Sequence, residues 1–299
     1  PSEQGLGPNV VRVATSRPWR SSEYPELRRW LETHRHRIDR MLEGSRQPSC
    51  RFRLQSAGDH MGLLDVPLGV LKQNVFLLCL AAGNDLGEGD VEAAVSKWRA
   101  LMAMGRHFRE QPNESHFLTG IALEAMAIDR FMRFIVEGPA SDQHVQDLVI
   151  LCEKPAREWE SIRRDINRVR DILGDLWEDR RVLKYRIYMR YRRICYGDRG
   201  WLEDRPRELY QRLQSDQRGL RIVIELRRFK NRTGGWPESL DPIVPSLPSG
   251  ILIDPINGGA YVYRCSEDGF CLYSRGPNRI DENGAHKQDG PDDWSIWPR

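Results

Sequence analysis

Up to about residue 232 the apolar side chains recur at helical spacing, and after Gly234-Gly235 they recur at every second position. This switch constrains the fold more than any other feature. A period near 3.6 buries one stripe of a helix, whereas a period of two buries one face of a strand. The chain is therefore expected to be mainly α, with a multi-helix body of antiparallel helical hairpins and then a small α+β module built on an antiparallel sheet.

The helical part divides at its turn signals. Pro1 to Ser21 is polar and without period, and reads as an extended or disordered lead-in over residues 1–21. A helix starts near Ser22 and Pro25, carries Leu27, Trp30, Leu31, Ile38, Met41 and Leu42, and stops at Gly44. Leu63 to Ala82 is the most apolar segment and is expected at the centre of the core. Asp90 is placed to cap a helix over Val91 to Arg109, with Ala93, Ala94, Trp98, Leu101 and Met102 on one stripe. Further helices are expected from His116 to Val136, from Ser141 with a kink at Pro155, across the basic Trp177 to Tyr196, and from Glu208 to Arg232. Domain boundaries are expected at 22–216 for the helical body and 217–299 for the module.

Beyond Gly234, Tyr261 to Tyr263 and Phe270 to Tyr273 read as paired strands. A three-residue turn Glu267-Asp268-Gly269, left-handed at Gly269, would set Cys265 opposite Cys271, and a disulfide between them is one open reading. The other cysteines read as small buried hydrophobes, and no pair has metal-ligand spacing.

Charge adds a second division. The chain carries a net +3, yet residues 251–299 hold five Lys/Arg against eight Asp/Glu, so the body is basic and the tail acidic. Such a balance gives no general attraction to nucleic acid. The stretch Arg180 to Arg193, interleaved with Tyr185, Tyr188 and Tyr191, is the place where phosphates and bases could be held. Its tyrosines also fall at the spacing of a packing face, and a nucleic acid is not expected as partner. No apolar run approaches the roughly 20 residues needed to cross a bilayer. The first residue is Pro1, as in a processed or excised chain, and any membrane anchor is expected only outside this sequence.

The chain carries few catalytic patterns. There is no phosphate-binding glycine loop, H-E-x-x-H or G-x-S-x-G. His34 and His36 lie on a charged helix, and no catalytic residue is assigned. Glu124 and Asp129 sit in an apolar helix, where a buried carboxylate calls for an arginine, either Arg130 or Arg133 on the next turn or one from another helix. After Ser274 comes an acidic, glycine-containing loop too polar to form a core. A hard cation would use its oxygens, and a metal-free loop held by Asp and Asn turn bonding would satisfy the same residues.

The C-terminal stretch resembles the major pseudopilins of type II secretion systems. It offers in order the helix Gly219 to Arg232, Trp236-Pro237, Asp254-Pro255, Asn257-Gly258, Tyr261 to Tyr263, Leu272-Tyr273-Ser274-Arg275-Gly276, and Asp292-Asp293 before Trp297. The resemblance implies a Ca²⁺ site fastening the loop to the sheet. By position Asn278 and Asp293 stand at the family's ligands, with Asp281, Asp289 and Asp292 as further donors. Asn278 departs from the acidic residue of that family, and Pro277, Arg279 and Lys287 depart from its acidity. The resemblance does not extend over residues 1–216. The whole layout is similar to planctomycete-type proteins with a helical body and a pseudopilin-like tail. Leu77 to Pro112 also resembles a single tetratricopeptide unit, although no second copy follows.

These readings lead to a non-enzymatic structural or interaction protein of the cell envelope or secretion apparatus. It would be extracytoplasmic, with protein partners and Ca²⁺. The alternatives are a hydrolase-type enzyme with its site in a groove of the helical body, and a cytoplasmic location.

Overall fold

The computed structural model describes residues 17–51, 68–152, 157–178, 200–287 and 290–298. The protein is mainly helical and ends in a three-stranded antiparallel sheet. The elements are α1 (Pro25–Thr33), α2 (Arg35–Ser45), α3 (Leu68–Glu88), α4 (Val91–Arg109), α5 (Glu114–Glu137), α6 (Asp142–Cys152), α7 (Trp159–Glu178) and α8 (Gly200–Thr233). A 3₁₀ turn (Asp241–Ser246) follows, then β1 (Val262–Ser266), β2 (Gly269–Ser274) and β3 (Trp294–Trp297). Among the described residues no helix is long and apolar enough to cross a membrane. The Pro155 kink and the basic stretch Arg180 to Arg193 lie outside the described residues.

The described residues form two compact units: one holds those up to Gln111 together with Ala122–Ala127, the other Pro112–Ile121 and those from Ile128 onward. The expected boundary between 216 and 217 instead falls inside one continuous helix, α8.

In the first unit α3 and α4 form a hairpin. Gly89, at φ +88°, ends the turn, and Asp90 caps α4 by accepting the Ala93 N–H at 3.0 Å. The apolar stripe of α3 packs with Leu27, Leu31, Ile38 and Trp19. Trp19 corrects the reading of residues 1–21 as a loose lead-in. It is 1% exposed, donates its indole N–H to the Leu80 carbonyl at 3.2 Å, and accepts from Asn84 through its own carbonyl. Gly87 makes this approach possible, because a Cβ there would stand 2.1 Å from the Trp19 carbonyl oxygen. The single helix expected from Ser22 to Gly44 is broken at His34. There the imidazole Nδ1 donates to the Trp30 carbonyl at 2.8 Å and the ring lies 4.4 Å from Trp30. The His34 N–H is itself shared between the Trp30 carbonyl at 3.2 Å and the Leu31 carbonyl at 3.1 Å, the tightened bonding of a helix end.

In the second unit Phe117, Trp159 and Tyr210 bring α5, α7 and α8 together, with ring centroids 5.7–6.4 Å apart. Asn113 caps α5 through the His116 N–H at 3.1 Å. The sheet has the order β1-β2-β3, with a register shift in β2 at Leu272/Tyr273. It packs on α8, where Gly219 meets Ile296: a Cβ at 219 would lie 2.3 Å from Ile296 Cγ2. Gly219 is therefore a point of close approach in mid-helix, within the helix expected from Glu208 to Arg232.

The hairpin also corrects the cysteine reading. Its turn has two residues, Glu267 and Asp268, and Gly269 is not left-handed. Cys265 faces Phe270 and Cys271 faces Arg264, so the two sulfurs point to opposite sides of the sheet, and both are free thiols.

Candidate metal centre

The acidic loop joins β2 to β3, and a buried polar node holds its foot in place. Asp254, fully buried, accepts from Ser215 Oγ on α8 at 3.1 Å, from Ser274 Oγ at the end of β2, and from the Ile256 N–H at 3.1 Å. Tyr261 hydrogen-bonds Ser215 Oγ at 3.0 Å, and burial pushes its phenol well above the ordinary range. Asn257 donates to the Gly276 carbonyl at 3.0 Å. Gly276 is left-handed at φ +58°, and a Cβ there would collide with the Asp292 carboxylate at 2.2 Å. Only glycine lets the loop close on Asp292.

Glu282, Asp292 and Asp293 converge at the top of this arrangement, each offering one carboxylate oxygen within 4.8 Å of the others. Asp293 is fully buried. Its Oδ2 accepts the backbone N–H of Glu282 at 2.9 Å and of Gly284 at 2.7 Å. Asp292 Oδ2 accepts the Asn278 N–H at 3.3 Å, and Glu282 Oε2 accepts the Asp292 N–H at 2.5 Å. Two oxygens are left over: Asp292 Oδ1 and Asp293 Oδ1 are buried and without any partner. Among the described residues none of the three carboxylates forms an ion pair. Burial raises the Asp293 pKa, the two N–H donors oppose the rise, and the carboxylates of Glu282 and Asp281 add to it.

Buried carboxylate oxygens without donors are expensive. A hard cation would satisfy them, and Ca²⁺ takes ~6–8 such oxygens. The donor set fits that chemistry through Glu282, Asp292 and Asp293.

The expected ligands are distributed differently. Asp292 and Asp293 belong to the convergence. Asp281 does not: it accepts from Arg264 at 2.7 Å, Tyr273 OH at 2.8 Å and the Asn283 N–H at 3.0 Å. Those contacts, the Tyr273 hydrogen bond foremost, hold its pKa below the usual carboxylate range. Asn278 frames the site without facing it, since Oδ1 accepts the Ile280 N–H at 2.6 Å and Nδ2 donates to Glu282 at 3.3 Å. Asp289 lies outside the described residues. Glu282 was missed. The signal for it was the Asn283-Gly284 pair that follows, both left-handed, which turns the chain back over Asp293.

In the helical body Glu124 is fully buried and accepts from Arg109 Nε at 2.6 Å, with Arg106 Nε at 3.8 Å. Its partners come from another helix. Asp129 pairs with Arg133 on the next turn at 3.2 Å.

No family model, curated protein or solved structure matches this chain.

Proposed function

We propose that this protein is a non-enzymatic interaction component of the cell envelope or secretion apparatus. Its helical body engages protein partners, and its pseudopilin-like C-terminal module is fastened by Ca²⁺ bound at Glu282, Asp292 and Asp293. One observation carries the calcium reading: two buried carboxylate oxygens, one each on Asp292 and Asp293, lack any donor beside a third carboxylate. The order of motifs from Trp236 to Trp297 supports the kinship with pseudopilins. The hydrolase alternative needs a carboxylate available in the helical body, and Glu124 is engaged by Arg106 and Arg109.

Thermal unfolding with added Ca²⁺ and with chelator tests the calcium reading. A ligand that binds only the folded state stabilises it by about 2.7 kcal/mol at a hundred times its dissociation constant. We expect a saturable rise in Tm with Ca²⁺ that chelator reverses. Indifference to both withdraws the metal. Fractionation of cells producing the protein from its own gene tests the compartment, and recovery in the cytosol alone overturns the envelope assignment.

A further inference from the structure

Beside the three converging carboxylates, and using none of them, a cavity of about 230 Å³ is lined by Asn257, Gly258, Gly259, Arg275 and Arg279. We propose that this cavity binds a phosphate dianion, either free phosphate or the phosphate of a monoester, between the guanidinium groups of Arg275 and Arg279.

The first ground is unpaired charge. Among the described residues, neither Arg275 nor Arg279 forms an ion pair or a side-chain hydrogen bond, whereas Arg264 in the same module is paired with Asp281. The loop contains both acids and arginines and does not pair Glu282, Asp292 or Asp293 with Arg275 or Arg279. Two uncompensated guanidiniums in one concavity match a dianion, and a carboxylate would neutralise only one of them. The planar donor fork of arginine fits phosphate oxygens two at a time.

Backbone geometry gives the second ground. Arg279 sits at φ +64°, a region that L side chains rarely occupy. It is held there by the Asn278 side chain, whose Oδ1 accepts the Ile280 N–H at 2.6 Å. A non-glycine residue kept in this conformation by its neighbours is the kind of outlier that collects at ligand sites. Across the cavity, Gly258 is left-handed at φ +75°, and Asn257 Oδ1 accepts the Gly259 N–H at 2.7 Å. The two glycines leave the floor free of side chains. A Cβ on Gly259 would meet both Asn257 Oδ1 at 3.0 Å and Arg275 Nη2 at 4.0 Å.

The test uses the full chain and inorganic phosphate, read by the amide shifts of Gly258 and Gly259 in a ¹⁵N-labelled sample. Titrations are run with chelator and, separately, on calcium-loaded protein freed of excess Ca²⁺, so that failure of the calcium reading leaves this one standing. Saturable shifts in either condition are expected. They should weaken at least about tenfold, 1.4 kcal/mol, in Arg275→Gln and in Arg279→Gly. The glycine variant relieves the left-handed strain, so loss of binding there cannot be blamed on misfolding. An O-phosphoserine titration distinguishes the sources: matching affinity identifies a monoester, and weaker binding identifies the free anion. The absence of shifts in both conditions, unchanged binding in Arg279→Gly, or acetate binding as well as phosphate would each overturn the proposal.

Discussion

Trp294 donates its indole N–H to Asp216 at 2.8 Å, joining the first residue of β3 to α8. Arg212, one turn earlier on α8, lies over the same indole with its guanidinium carbon 4.5 Å from the ring. Asp216 is 2% exposed, so a lost donor is not replaced by solvent. Trp294→Phe keeps an aromatic face for Arg212 and removes only the N–H. We expect a loss of about 1–3 kcal/mol, the scale of a buried hydrogen bond to a charged acceptor, measured by urea unfolding.

Asp293→Asn separates the fold of the loop from its proposed cation. An asparagine oxygen still accepts from the Glu282 and Gly284 N–H groups, while one negative charge disappears. The variant should fold and lose the Tm response to Ca²⁺. An undiminished response would place the ion elsewhere.

The pH dependence of the same pair of proteins follows from the raised pKa of Asp293. A carboxyl whose folded pKa exceeds its unfolded value favours the folded state when protonated. That contribution is full below the unfolded value, near 4, and disappears as pH rises through the folded pKa. In chelator, the stability of Asp293→Asn relative to the parent should therefore grow as pH climbs out of the acid range. A difference that is flat from pH 4 to 7 would contradict the burial argument.

Glu124→Leu leaves the guanidiniums of Arg106 and Arg109 without the carboxylate between them. Both arginines are largely buried. Removing one member of a buried ion cluster typically costs about 3–5 kcal/mol, and thermal melts should show it as a large drop in Tm.

Docking of the segment around Trp19 can be probed from both sides. Trp19→Ala empties a fully enclosed site and should cost about 3–5 kcal/mol. Gly87→Ala drives a methyl into the Trp19 carbonyl. In Gly87→Ala, fluorescence should report a more exposed indole near the N-terminus, and limited proteolysis should cut before Pro25.

Much of the architecture was written locally. Asp90 announces its helix because a short acidic side chain before an apolar stripe can satisfy the first free N–H groups, and the switch of period after Gly235 announces the sheet. What stayed hidden depends on contacts distant in sequence. Trp19 looks stray in a polar stretch until α3 presents Gly87 to it. The register placing Cys265 against Phe270 turns on one residue of turn length, which composition does not encode. Asp292 and Asp293 were legible as oxygen donors. Asp281 was not distinguishable from them, because its removal from the cluster is the work of Arg264 and Tyr273 on neighbouring strands. Glu282 is hidden in the sequence for the converse reason: two left-handed residues bring it back beside carboxylates ten positions later.

The unbroken run of α8 from Gly200 to Thr233 has a practical outcome. Ser215 and Asp216 anchor Asp254, Tyr261 and Trp294, and Gly219 seats Ile296. A fragment trimmed at residue 217 would thus arrive without its own foundations, and the portable piece has to begin further upstream on that rod.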